Sequence, residues 1–186
     1  MAVVRFLIRW WTAFAAAASV AMLAVAFAFQ YLGGLAPCHL CLQQRWVYVF
    51  AIAIALPATL WALFFRSRGT PKISALLLTG VFATGTLIAA YHAGVELKWW
   101  AGPSTCTSGP LGAFHDYSTR INAIMQGGRA AVVMCDVAPW RLFGVSMAGW
   151  NAVGSAVLTL ISLIASIRRK AALKPGVGEV VGEPVL

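Results

Sequence analysis

Long apolar blocks separated by short polar connections dominate this chain. Four blocks are long enough, at about 20 mostly apolar residues, to cross a bilayer as helices: residues 11–31, 45–65, 73–95 and 143–167. None of the first three contains an acidic residue, and the fourth is uncharged from Phe143 to Ile167. Aromatic side chains gather at the block ends, as Trp10, Trp11, Tyr31, Trp46, Tyr48, Trp99, Trp100 and Trp140. Amphipathic rings of this kind settle where hydrocarbon meets headgroups. The pattern predicts an all-α membrane protein, a four-helix bundle with two outer loops at about 32–44 and 96–142. The 1–167 stretch is read as one transmembrane domain, and 168–186, with its Gly/Pro/Val-rich "AALKPGVGEVVGEPVL", as a disordered tail.

Composition agrees. Of the 186 residues, 61% are hydrophobic and only 10% charged, against roughly 25% charged in soluble domains. The net charge of +9 is not gathered into a nucleic-acid-binding face, so no nucleic-acid partner is expected. Nine of the fourteen basic residues sit at the N-terminus (Arg5, Arg9), in the 66–72 turn (Arg66, Arg68, Lys72) and in the tail (Arg168, Arg169, Lys170, Lys174). By the positive-inside rule both termini are cytoplasmic and the two other loops face outward. Ala26-Phe27-Ala28 is similar to a leader cleavage site, but the apolar region before it exceeds the usual 7–15 residues, and the segment is read as a retained span.

All four cysteines fall in the outward loops: Cys38 and Cys41 in the first, Cys106 and Cys135 in the second. Disulfide chemistry persists outside the cytoplasmic membrane and is suppressed inside it. Two structural disulfides are the plain reading. A C-x-x-C bridge, however, closes so short a loop that its entropic stabilisation is small, which favours a reactive pair. Cys41 lies near the start of the second span and Arg45 one turn further on the same face, so helix dipole and guanidinium together stabilise a thiolate. Arg45 alone also reads as an interfacial arginine with its head in water. A c-type haem anchor needs histidine where Leu42 stands. A four-cysteine zinc site needs two close pairs, which Cys106 and Cys135 do not form, and His39 is the one added ligand in reach. No metal is expected.

These features, with "AYHAGVELKWW" leading to "GPSTC" and with "CDVAPWRLFGVSMAGWN", resemble the disulfide bond formation protein B (DsbB) family. The resemblance implies a quinone-coupled thiol oxidase of the bacterial inner membrane, part of the DsbA–DsbB–quinone relay that keeps the periplasm oxidising. It implies resting disulfides Cys38–Cys41 and Cys106–Cys135. A reduced, DsbA-like thioredoxin-fold partner attacks the second through Cys106, with a Cys41–Cys106 link as intermediate. Electrons then pass to Cys38 and Cys41, and from Cys41 to a quinone from the membrane pool, ubiquinone ahead of menaquinone. Arg45 is the expected contact to one quinone oxygen, and His92, near the outer end of the third span, to the other.

Phe114, Tyr117, Ile121, Ile124 and Met125 recur at helical spacing, which predicts a short amphipathic helix on the membrane within the second loop. Asn151 is read as a polar group bonding across helices, and Pro57 as a kink. The alternative to the enzyme is a non-enzymatic scaffold or small transporter with structural outer-loop disulfides. Away from Arg45 and His92 the spans carry no charged residue of the kind transport pathways use. The topology has a direct check: membrane-impermeant labelling of single cysteines in intact cells should reach 33–43 and 96–142 and spare the 66–72 turn. Labelling of that turn from outside inverts the whole assignment.

Overall fold

The computed structural model describes residues 10–65, 72–103 and 134–171, apart from the side chains of 72 and 168–171. It contains four long helices: α1 Trp11–Tyr31, α2 His39–Phe64, α3 Lys72–Glu96 and α4 Met147–Ala171. All four are long and apolar enough to cross a membrane. The expected four-helix membrane bundle is the fold. Inside hydrocarbon, helices satisfy every backbone group within the segment, and Leu56, Leu76, Leu87, Val153 and Leu160 are exposed on the outward faces. The predicted amphipathic helix, Cys106, the 66–71 part of the turn and the tail beyond 171 lie outside the described residues.

Two boundaries differ from the sequence pattern. The second helix starts at His39 rather than at Arg45, because Cys38 caps it: an extended residue (ψ 170) whose Sγ accepts the Cys41 N–H at 3.2 Å. A cysteine acts here as serine usually does at a helix start. The C-x-x-C pair therefore belongs to the first turn of α2 and not to a loop. The fourth helix starts at Met147 rather than Phe143. Residues before it form a two-residue hairpin, β1 Arg141–Leu142 against β2 Val145–Ser146, with Arg141 opposite Ser146. Phe143 and Gly144 make its turn with φ of 51 and 78, both positive as a type I′ hairpin requires.

Neighbouring helices pack in chain order, α1 on α2, α2 on α3 and α3 on α4, while α1 and α4 meet at few points. The buried cluster combines small residues (Ala15, Ala51, Ala55, Ala165) with Trp11, Tyr48, Leu78 and Phe82. In lipid there is no hydrophobic drive between helices, so close approach of small residues and hydrogen bonds between helices carry the association. Thr59 donates to Thr12 at 3.0 Å, Trp11 to Ser162 at 3.1 Å, and Thr86 lies 3.3 Å from Thr159.

Gly85 marks a close approach of α3 to α2. A Cβ there meets Val47 Cγ1 at 2.8 Å and Ser155 Oγ at 3.5 Å. Gly85→Val should force the helices apart and lower stability in detergent by about 1–3 kcal/mol. Adding Val47→Ala should recover part of the loss, read as a shift in thermal unfolding midpoint. Strict additivity of the two changes places the contact elsewhere.

Candidate functional site

At the end of the bundle where α2 begins, α1, α2, α3 and the start of α4 enclose a cavity of about 360 Å³. Its apolar wall includes Met22, Val25, Phe29, Leu35 and Pro37, and its outer side is closed by Met134, Val137, Pro139 and Trp140. Phe29 and Trp140 meet with ring centroids 5.0 Å apart. The titratable groups lining it are Cys38, Cys41, Arg45, Tyr48, His92 and Glu96.

Cys38 and Cys41 are thiols, 2.7 Å apart. These are the two sulfurs of the expected disulfide, with Cys38 Sγ as donor to Cys41 Sγ. A C-x-x-C at a helix start brings both sulfurs onto one turn, so bond formation needs only a sub-ångström closure toward the roughly 2.05 Å of a disulfide. The Cys38 thiol is pushed well above its ordinary range by its hydrogen bond to Cys41, then by burial and by the Cys41 charge. The proton shared by the pair stays on Cys38.

Cys135 is disulfide-bonded, fully buried, and packed in one cluster with Cys38, Leu40 and Cys41. Two cysteines distant in sequence from the first pair's turn are thus represented at it by this one. The adjoining Asp136 accepts from Lys98 Nζ at 2.6 Å, which ties the long loop to the end of α3. The expected Cys41–Cys106 link involves a residue outside the described set. What the structure brings to the first pair is Cys135, packed with Cys38.

A buried chain of hydrogen bonds fixes the other side of Cys38. Tyr48 donates to Asn151 Oδ1, Asn151 Nδ2 to Gln44 Oε1 at 2.5 Å, and Gln44 Nε2 to His92 Nδ1 at 3.0 Å. Each donor consumes the acceptor of the next group, so the chain has a direction. Because His92 Nδ1 accepts, the ring's hydrogen sits on Nε2. That nitrogen lies 3.6 Å from Cys38 Sγ and 3.7 Å from Glu96 Oε1, and the ring also hydrogen-bonds the Cys135 backbone. Asn151 bonds across helices, as its sequence position suggests.

Arg45 is anchored to α1. Its guanidinium donates to Gln30 Oε1 at 2.5 Å and to the Ala26 carbonyl at 3.2 Å, and stacks 5.0 Å from the Phe27 ring centroid. It nonetheless lines the cavity, and its charge is felt at Cys41. Gln44 and Glu96 are site residues the sequence reading passes over. The available signal is spacing: Glu96 stands one helical turn from His92, and Gln44 one turn below Leu40 on the face of α2 that turns inward.

Cys38, Cys41 and His92 place two sulfurs and a ring nitrogen within 4.8 Å of one another. A closed structural zinc site takes four ligands, and this three-donor group is read as a dithiol with its histidine. A quinone needs a flat apolar slot with donors at its edge. Volume, aromatic walls and the Arg45 fork meet that need.

A four-span membrane protein with a reactive dithiol against a second, disulfide-bonded cysteine is a membrane disulfide oxidoreductase. The sequence profile of the family described as Disulfide bond formation protein DsbB matches residues 8–165. Proteins named Disulfide bond formation protein B are similar to this chain. The one from Marinobacter nauticus is 29% identical, covering 80% of this chain and 85% of that protein. That from Paracidovorax citrulli is 31% identical over 82% and 83%, and that from Herminiimonas arsenicoxydans 31% over 83% and 92%. The chain belongs to the DsbB family.

Replacing Gln44 by methionine keeps the volume but strips partners from Asn151 Nδ2 and His92 Nδ1. With two buried polar groups unpaired at about 1–3 kcal/mol each, Gln44→Met should lower the unfolding midpoint in detergent clearly. Gln44→Glu, which leaves an acceptor for Asn151 and none of the donors for His92, should cost less. Equal stability of wild type and Gln44→Met refutes the chain as built.

Proposed function

We propose that this protein reoxidises a periplasmic, DsbA-like thioredoxin-fold dithiol and passes the electron pair through its two cysteine pairs to a membrane quinone, ubiquinone ahead of menaquinone. It does so from the inner membrane with both termini cytoplasmic. The observation that carries the reading is the packing of disulfide-bonded Cys135 on Cys38, beside a cavity that Cys41 also lines. An enzyme that moves electrons between the pairs needs them in contact.

The chain's residues then have separate tasks. Cys106, the remaining cysteine, is proposed as the partner of Cys135 and as the sulfur that the substrate dithiol attacks. Thiol–disulfide exchange proceeds through a thiolate attacking a disulfide sulfur. The Cys135 thiolate, once released, has Cys38 as its neighbour, so the interloop link is proposed as Cys38–Cys135 in place of Cys41–Cys106. Attack there makes Cys41 the leaving group, and Cys41 is the sulfur under the influence of Arg45.

The quinone, when bound, supplies a two-electron, two-proton acceptor drawn from the membrane. Arg45 from α2 and the His92 Nε2–H from α3 are proposed to meet its oxygens, where each donor stabilises developing negative charge. Arg45's anchor on Gln30 and Ala26 holds its fork in place, and Phe29 and Trp140 keep water out. The apolar wall between the loosely joined α1 and α4 gives a lipid-soluble ligand its entry.

Two sets of variants test this. Cys106→Ser and Cys135→Ser should each abolish oxidation of the periplasmic dithiol while leaving dithiothreitol-driven quinone reduction by Cys38 and Cys41 measurable. A Cys106→Ser protein that oxidises its protein substrate at the normal rate makes the second pair structural and sinks the relay. Arg45→Lys should insert normally but raise the quinone KM about ten- to a hundredfold, the equivalent of losing a hydrogen bond to a partly charged group at about 1.5–3 kcal/mol. An unchanged KM returns Arg45 to a purely structural tie between α2 and α1.

A further inference from the structure

Glu96 is the feature that neither the cysteine relay nor the quinone contacts explain. It is an acid at the end of α3, 7% exposed, and its Oε2 is buried with no hydrogen-bond partner among the described residues. Buried polar atoms are nearly always paired, and an orphan carboxylate oxygen is costly. It also lines the cavity that holds Cys38 and Cys41. We infer that Glu96 is the proton store of the cysteine pair, holding as a carboxyl the second proton that reduction of the quinone requires. This rests on the proposed quinone reaction and adds a residue to it.

Proton accounting leads to the same place. With the pair as found, Cys38 carries a proton and the Cys41 sulfur accepts it in a hydrogen bond. In the relay proposed above Cys41 leaves as the thiolate, and in that state the pair holds one proton, whereas a quinol needs two. The other titratable groups lining the cavity do not supply it. Arg45 does not deprotonate in proteins. The Tyr48 hydroxyl donates into Asn151 and lies 3.0 Å from Ser155 Oγ. His92 has its single hydrogen fixed on Nε2 by the Gln44 donor at Nδ1, and to give it up makes an imidazolate. Glu96 is what remains.

The step balances. Cys38 S–H and Cys41 S⁻ lose an electron pair and form the S–S bond. The Cys38 proton and the Glu96 carboxyl proton leave with that electron pair for the quinone, giving a quinol and a Glu96 carboxylate. Net charge in the cavity is the same before and after, with the anion moved from Cys41 to Glu96. An apolar cavity favours such an exchange, since two like charges close together resist ionising at once, and the Glu96 charge is felt at Cys41. The groups facing Glu96 suit a carboxyl that cycles. His92 Nε2 lies one turn back on α3, the Ser146 hydroxyl bonds it from β2, and the Arg141 charge reaches it from β1. The hairpin strands that carry Ser146 and Arg141 border Glu96, and the carboxylate regains its proton from solution.

The test uses the purified full-length protein. Infrared difference spectra between dithiothreitol-reduced and disulfide forms, with no quinone added, should show a protonated carboxyl C=O band in the reduced form that is lost on oxidation. Glu96→Gln should abolish that band, and Glu96→Asp should keep it, shifted. With a short-chain ubiquinone analogue, Glu96→Gln should lower kcat roughly a hundredfold, within the range of general-acid contributions, with quinone KM little changed. The limb of the wild-type pH–rate profile that reports the carboxyl should also vanish. Absence of the band from wild type overturns the proposal even if Glu96→Gln fails to fold. So does a Glu96→Gln enzyme with wild-type kcat and pH profile. Failure of wild type itself to reduce the quinone while the band is present strikes the proposed function and leaves the proton store standing.

Discussion

The hydrogen-bond chain from Tyr48 through Asn151 and Gln44 to His92 is the interaction around which the outer half of this bundle is arranged. It crosses from α2 to α4, back to α2 and on to α3, so three helices share one set of donors and acceptors. In hydrocarbon none of these groups has water as an alternative, and the chain is satisfied only in one relative placement of the helices. Its direction carries through to the chemistry. One amide orientation sets the imidazole tautomer, and the tautomer leaves the Nε2–H for the Cys135 backbone, with Cys38 and Glu96 beside it. A single polar chain thus serves both as the glue of the bundle and as the mount of its reactive end.

The cysteine pair depends on a second local device. Because Cys38 caps α2 through its own sulfur, the turn that starts the helix is also the turn that presents the dithiol. The same turn puts Cys41 where the cavity, the helix dipole and Arg45 converge, while Cys38 faces the long outer loop and Cys135. Both sulfurs line the cavity, and Cys38 also packs in one buried cluster with Cys135.

Stability and reactivity draw on the same small region. Helix association elsewhere rests on alanines and glycines at close approach and on scattered hydroxyl contacts between helices, with no large apolar drive behind it. At the outer end the structure accepts an apolar cavity and an orphan carboxylate oxygen, both of which cost stability. The packing of Phe29 on Trp140 and the tie between Lys98 and Asp136 hold that end closed. Beside the cavity, α1 and α4 meet at few points.

Much of this was written in the order of residues. Four apolar blocks separate themselves by length alone, because a bilayer imposes one thickness on every span. Where lysine and arginine fall gives the expectation that all four cysteines face outward, and Asn151 announces an interhelical bond since a lone amide in hydrocarbon must find a partner. The C-x-x-C pair with Arg45 one turn on is likewise a local pattern. Where α2 and α4 begin was not legible, because a sulfur cap and a hairpin turn built on Phe143 leave no trace in hydropathy. Gln44 and Glu96 read in sequence as an ordinary polar residue at a helix start and an ordinary acid at a membrane edge. Their roles exist only after α2, α3, α4 and the hairpin meet, since partner, burial and the lack of a partner are properties of neighbours that sequence does not hold. The same holds for Arg45, whose grip on Gln30 and Ala26, and for Cys135, whose place against Cys38, were decided by tertiary packing alone.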